Sequence, residues 1–289
     1  MELRSLADIE LKDVLGPINR SAAGRAAPLM PVAVHTVAQL RERAALGVLD
    51  LKLSRALLVA GGIAGACLVE RVGDRAHIES LGVDPLAQQR GGGRALCEEV
   101  VASAAAAGVR RLTALCSDLD PQFLAIWHAA GFARVREVAR HTLSSSGPVQ
   151  ALIPEELGAD GGELPPLGAA AQLVPPAEAL AVLALKTTPE MPFAQQPEVL
   201  RRLSPKLTAV VLRTPSGTTA AAVTDRERRQ LLSLCGHSER EAAQLAALLA
   251  ARYGVYQIDS LPIDDPMTAA VSAAGFQRAS LRVELQKVL

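Results

Sequence analysis

One stretch of this chain has the residue types and spacing to hold a phosphorylated ligand. It reads Val83-Asp84-Pro85-Leu86-Ala87-Gln88-Gln89-Arg90-Gly91-Gly92-Gly93-Arg94-Ala95-Leu96. An apolar strand pattern ends at Val83, a turn follows, then three glycines, then a helical pattern. The first backbone N–H groups of a helix have no partner inside it, and the helix dipole adds partial positive charge there. Glycines let an anion come close to those donors, since no Cβ intervenes. Arg90 and Arg94 can add charge-assisted hydrogen bonds. The segment predicts a phosphate cradle. A dinucleotide fingerprint needs GxGxxG, and here the third glycine is missing. A P-loop needs a GKS or GKT ending, which the chain lacks. The remaining alternative is a glycine-rich turn without a ligand.

The elements around the loop can be read from periodicity and turn chemistry. Leu3–Leu6 reads as a strand, and Ile9–Arg20 and Val37–Ala45 as helices. Arg55–Ala60 and Ala64–Arg71 are apolar strands around Gly61-Gly62, a hairpin signal. Arg75–Val83 is the strand that feeds the loop. Gly93–Ala107 is a helix with Leu96, Val100, Val101 and Ala104 at helical spacing, and Gly108 stands where a C-terminal cap belongs. Val109–Cys116 is a strand, Pro121–Ala130 a short helix and Ala133–Leu143 a closing strand. A further short strand is expected at Val149–Ile153.

These residues resemble the GNAT N-acetyltransferase superfamily. The loop reads Gln-x-x-Gly-x-Gly and is preceded by Leu81-x-Val83-x-Pro85, as in that family's acetyl-CoA signature. The hairpin around Gly61 and the segment Asp120–Phe132, which ends in Gly131-Phe132, are similar to its second and third strands and its fourth helix. The resemblance covers residues 1–153. It implies that the backbone of Leu81 and Val83 pairs with the pantetheine arm of acetyl-CoA. It also implies that Gln88, Gln89, Arg90, Gly91, Gly92, Gly93 and Arg94 hold the pyrophosphate. Asp120 stands where the family often has an asparagine against the cofactor arm. Trp127 stands where it commonly has the tyrosine that protonates the departing thiolate. An indole N–H donates but is not a useful acid, so Trp127 is expected on the cofactor arm or in the core.

Acetyl transfer to an amine needs a base, because a lysine-like amine is only about 0.1% unprotonated near pH 7.4. On the strand Arg75–Val83, His77 and Glu79 lie two residues apart, hence on one face under strict alternation. Glu79 is the first candidate base and His77 the second; alternatively, Glu79 only orients substrate or is solvated at the sheet edge. His128, beside Trp127, is expected to point outward rather than act in catalysis, and His35, His141 and His237 show no metal spacing. No GxSxG elbow is present.

The second half repeats the first. Ala129-Ala130-Gly131-Phe132 recurs as Ala273-Ala274-Gly275-Phe276, and the order of surrounding elements agrees. Leu207–Leu212 and Thr218–Val223 flank Pro215-Ser216-Gly217, like the first hairpin. Where the phosphate loop belongs, the chain reads Cys235-Gly236-His237-Ser238-Glu239-Arg240-Glu241, a poor pyrophosphate site. The expected fold is α/β (α+β), two tandem GNAT-like domains, each a mixed, mostly antiparallel twisted sheet flanked by helices. Residues 1–153 form the acetyl-CoA-binding domain, 154–169 a Ser/Gly/Pro-rich linker and 170–289 the degenerate copy. Tandem arrangements with one working half resemble mycothiol synthase in architecture alone.

Composition narrows the function classes. The 289 residues are 49% apolar, with 30 basic and 30 acidic side chains. That balance disfavours a nucleic-acid binder and a disordered acidic chain. The longest uncharged apolar run, Ala56–Val69, is too short to span a bilayer, and no secretory signal pattern opens the chain. Cys67, Cys97, Cys116 and Cys235 form no CxxC pair, so no zinc site is expected. We read a cytoplasmic monomer or homodimer with reduced, buried thiols and no metal. It transfers an acetyl group from acetyl-CoA to a small-molecule amine, with no nucleic-acid or membrane partner. The alternative is a non-catalytic acyl-CoA sensor or interaction module that kept the fold.

Overall fold

Local chemistry sets the first elements. Leu3 and its neighbours form β1 (Glu2–Ser5), and a hairpin joins β2 (Arg55–Val59) to β3 (Gly62–Val72). The turn residues are Ala60 and Gly61, both with positive φ, one position earlier than Gly61-Gly62. Positive φ at both central residues matches the right-handed twist of the flanking strands. Strand β4 (Arg75–Val83) leads into α3 (Gly92–Ala106), followed by β5 (Arg111–Cys116), α4 (Pro121–Ala129) and β6 (Ala133–Leu143). Before them lie α1 (Leu11–Arg25) and α2 (Val37–Ala45). The computed structural model describes residues 1–25, 35–88, 90–117, 119–143, 171–185 and 191–289. The expected linker 154–169 and the expected strand Val149–Ile153 lie outside them.

The chain divides into two units. Unit 1 holds Met1–Arg136 together with Val283–Leu289, and unit 2 holds Glu137–Arg282. The sheet of unit 1 runs β1-β2-β3-β4-β5 and closes with the end of β12 (Phe276–Val288). Its ladders are antiparallel except β4–β5, which is parallel. The edge next to β5 is taken by the chain's last strand, with Val283 opposite Cys116 and Val288 opposite Arg111. The strand Ala133–Leu143 forms as expected, but its residues from Glu137 onward lie in unit 2.

Unit 2 contains β7 (Ala171–Val174), α5 (Pro176–Ala184), α6 (Pro197–Leu203), β8 (Leu207–Thr214), β9 (Gly217–Asp225) and β10 (Gln230–Gly236). These are followed by α7 (Glu239–Tyr253), β11 (Gln257–Pro262) and α8 (Met267–Ala273). Its sheet runs β7-β8-β9-β10-β11 and closes on Val138–Thr142 of β6. Again only one ladder, β10–β11, is parallel. Each unit is thus a mixed, mostly antiparallel sheet flanked by helices.

Each sheet is covered on two faces. In unit 1, Leu96 and Val100 of α3 and Trp127 of α4 pack with Leu57, Val69, Ile78 and Leu112. On the other face, Val14 and Ile18 of α1 and Leu40 of α2 meet Ala66 and Leu68. Gly82 permits this approach, because a Cβ there would lie 3.1 Å from the Ile18 backbone. In unit 2, α7 and α8 supply Leu245, Leu249 and Val271 to one core, while α5 and α6 supply Leu180, Leu183 and Leu200 to the other. Burying one such aliphatic side chain contributes about 1.5–3 kcal/mol.

Candidate active site

The parallel ladder of unit 1 is short. Arg75 to Ile78 pair with Arg111 to Ala114, and there the register between β4 and β5 ends. Strand β4 continues to Val83 and β5 to Cys116. A bulge accompanies the parting. Against β3, Leu68 faces Ser80 and Val69 faces Ile78, which leaves Glu79 as the extra residue. Bulges re-aim side chains and bend the strand. Here Ala76 and Ile78 share a core with Leu81 and Val83, so the alternation changes parity at Glu79. Glu79 and Ser80 both lie between the core-facing Ile78 and Leu81, so alternation keeps Glu79 on the face of His77. His77 is 7% exposed, whereas Glu79 is exposed at the bulge.

Thr113 on β5 fixes His77. The His77 Nδ1 and the Thr113 hydroxyl oxygen are 2.9 Å apart. Thr113 donates its own proton to the Ala76 carbonyl at 3.3 Å. A hydroxyl has a single proton to give, so with Thr113 donating to Ala76, Nδ1 is the donor of the His77–Thr113 pair. Opposite His77 on β3 stands Glu70, 2% exposed and ion-paired with Arg43 of α2. Thr113 and Glu70 were not found from sequence; a threonine in a strand carries no local sign of such a partner.

The glycine loop begins where β4 ends. Gly91 is the N-cap of α3, with φ 79° and ψ 1°, and no side chain caps this end. That left-handed backbone favours glycine. No acidic residue occupies the first turn. Gly92 packs inward, since a Cβ there would meet Leu57 at 2.5 Å. Gln88 donates to the Val83 carbonyl at 2.9 Å and so ties the loop back to β4. Arg90 is exposed. Arg94 is paired with Glu98 one turn on, which raises its pKa through that hydrogen bond. Gln89 lies outside the described residues. Leu81 and Val83 bury their side chains in the core and pair with Cys67 and Gly65 of β3.

Two further expected contacts have an internal role. Asp120 is the N-cap of α4 and accepts from the Phe123 N–H at 2.9 Å. An acid there favours the helix start. Trp127 is 1% exposed and lies edge-on to Phe123 and Phe132, with ring centroids 5.3 and 5.1 Å away. Its indole N–H is buried without a hydrogen-bond partner among the described residues. Buried donors nearly always have an acceptor. The uncapped start of α3, with no acid in its first turn, fits a phosphorylated ligand.

Other groups in unit 1 are chemically quiet. Burial pushes the Cys67 thiol well up and the Cys97 thiol to about 12. Among the described residues, no group of His, Cys, Asp and Glu is placed to hold a metal ion. No described helix is long and apolar enough to cross a membrane.

In unit 2 the corresponding places differ. The β10–β11 ladder also stops early, after Gln230–Gln257 and Leu231–Ile258. The bulged residue is Leu232. Gln195, buried, donates to the Ser260 carbonyl of β11 at 3.3 Å.

Comparison with known proteins agrees with this geometry. Residues 41–132 match the model of the acetyltransferase (GNAT) family. A search of curated proteins finds no match. Among solved structures, the chain is similar to a candidate acetyltransferase from Pyrococcus horikoshii, with TM-score 0.71 and 12% identity over 100% of this chain and 89% of that one. It is also similar to a tandem GNAT protein from the clavulanic acid biosynthesis pathway, with TM-score 0.63 and 18% identity over 99% and 98%. At such identities the likeness is one of fold. The fold is that of tandem GNAT proteins, and residues 41–132 match the model of that family.

Proposed function

We propose that unit 1 transfers an acetyl group from acetyl-CoA to an amine of a small molecule. The observation that carries this reading is the uncapped, glycine-lined start of α3, directly after a strand that parts from its parallel neighbour. The backbone N–H groups of Gly92, Gly93 and Arg94 would hold the pyrophosphate, with Arg90 adding charge. The pantetheine arm would run along Leu81 and Val83, toward the bulge at Glu79. The amine would lose its proton to Glu79 or to His77 Nε2 and attack the thioester carbonyl. The C–N bond forms, and the C–S bond breaks to release coenzyme A as thiolate. A positioned base typically adds about 10²–10⁴-fold.

A second reading, an acyl-CoA-binding module without catalysis, is favoured by one residue. Trp127 occupies the usual position of the acid and is buried in the core. Thiolate is a tolerable leaving group, so transfer remains the first reading. Calorimetric titration of acetyl-CoA into the intact chain, followed by thiol release with pooled amines, tests both. One site per chain with amine-dependent release supports the transferase. Binding without release supports the module, and absence of binding would falsify both.

A further inference from the structure

The face of unit 1 opposite α3 carries an ion pair that packing alone does not explain. Arg136 Nε lies 2.7 Å from Glu284 Oε2, and beyond this ion pair neither atom has a hydrogen-bond partner among the described residues. Glu284 is 3% exposed, while Arg136 keeps 20% of its side chain exposed. Burial raises the pKa of Glu284, against the opposing pull of Arg136. Such a pair stabilises a fold poorly, because desolvation is offset only when the remaining lone pairs and protons are satisfied.

Register places the pair beside the opening between β4 and β5. Glu284 stands opposite Leu115, the first residue of β5 beyond the last pair with β4. Alternation puts Glu284, Leu115, Thr113 and His77 on one face, since Ala114, Val283, Leu285 and Ile78 fill the core on the other. Glu284 and His77 are two strands and two residues apart, roughly 12 Å from the strand spacing and rise. Thr113 and Leu115, between them, are only partly buried. Arginine has five N–H donors in a planar fork suited to a carboxylate. Arg136 meets Glu284 through Nε and keeps 20% of its side chain exposed.

The repeat provides an internal control. Aligning Phe132 with Phe276 puts Arg140 at the position of Glu284. In unit 2, Arg140 pairs with Asp259, which also accepts from Arg282, Gln230 and Gln257. Asp259 thus has four side-chain partners, whereas Glu284 is paired with Arg136.

We propose that Arg136, held by Glu284, binds a carboxylate on the acceptor, so that the acceptor is an amino acid or a related amine bearing a carboxylate. Arg136 contacts the ligand, and Glu284 is a positioning residue delivered by the last strand of the chain. The proposal rests on the transferase reading of unit 1.

The test uses the intact chain, acetyl-CoA and matched acceptors, namely free amino acids and their carboxamides. We expect at least a tenfold preference in kcat/KM for the acid, carried mainly by KM. In Arg136→Gln the acid loses roughly 10- to 100-fold and the preference collapses. Arg136→Lys restores part of it, and Glu284→Gln raises KM for the acid. Acetyl-CoA affinity, measured by calorimetry, stays unchanged in all three variants and reports that unit 1 is folded. Equal use of acid and amide by the wild type, or a preference that survives Arg136→Gln, overturns the assignment. Turnover of uncharged amines alone removes this proposal and leaves the transferase reading. Acetyl-CoA binding without turnover of any amine removes both.

Discussion

Helices α3 and α7 hold equivalent places, each after the strand that parts from its parallel neighbour, but their first turns are built differently. Gly91 caps α3 with a left-handed backbone and no side-chain bond. Ser238 caps α7 in an extended conformation. Its hydroxyl accepts from the Glu241 N–H, and the Glu241 carboxylate returns to the Ser238 N–H. Glu239 adds a second acid to that turn. A helix start attracts negative charge whether the charge belongs to the protein or to a ligand. Unit 2 supplies its own and completes a capping box. Unit 1 leaves the donors to an incoming anion. Gln195 bonded to Ser260 and Leu232 in place of Glu79 extend the same contrast to the strands.

The comparison can be tested by substitution. If the two units are equally built cores around unequal sites, Leu96→Ala and Leu245→Ala should each cost about 2–5 kcal/mol, because both leucines are fully buried. Chemical denaturation measures this, and a much smaller loss in one unit would show an unequal core. Next, Gly91→Val should weaken acetyl-CoA binding at least about 100-fold, since it strains a left-handed backbone and crowds the anion. Ser238→Ala should leave that affinity unchanged. Calorimetry on the two variants decides, and a shared effect would break the assignment of the ligand to unit 1.

Ser238→Ala should instead destabilise unit 2 by about 1 kcal/mol through the lost cap, seen as a lower Tm at unchanged ligand affinity. The smallest effect concerns pH. Burial alone would raise the Glu241 pKa, but hydrogen bonds from Ser238 and Thr219 hold it below the usual range. A carboxylate with a depressed folded pKa contributes stability that is present above its unfolded value and lost as pH falls through the folded one. The penalty of Glu241→Gln should therefore shrink as pH drops below about 4.3, the ordinary glutamate value. A penalty independent of pH would show that the carboxylate charge plays no part in the cap.

Much of the site could be read along the chain because its signals are local. The hairpin at Gly61, the strand Arg75–Val83, the helix after the glycines and the cap at Gly108 each depend on residues within a few positions. The loop and its anion-binding character are local in the same sense. The departures arose where partners are distant in sequence. Glu79 stands at a bulge against β3, which strict alternation along the chain does not foresee. Asp120, read against the cofactor, caps the start of α4, and of the two places open to Trp127 its ring lies in the core beside Phe123 and Phe132.

Turn chemistry, helix starts and the repeat of Ala-Ala-Gly-Phe are written in neighbouring residues, so the amino-acid sequence alone determined two copies of one fold and a glycine-rich, uncapped helix start in the first. Which strand closes each sheet is a choice between two segments of nearly the same pattern, Ala133–Leu143 and Phe276–Val288. Pattern cannot separate them, because strand pairing is a contact between residues far apart in the chain. Only the tertiary structure assigns the last strand to unit 1, and with it brings Glu284 to Arg136, Lys287 to the end of α4 at Ala130, and Thr113 to His77 across the neighbouring ladder.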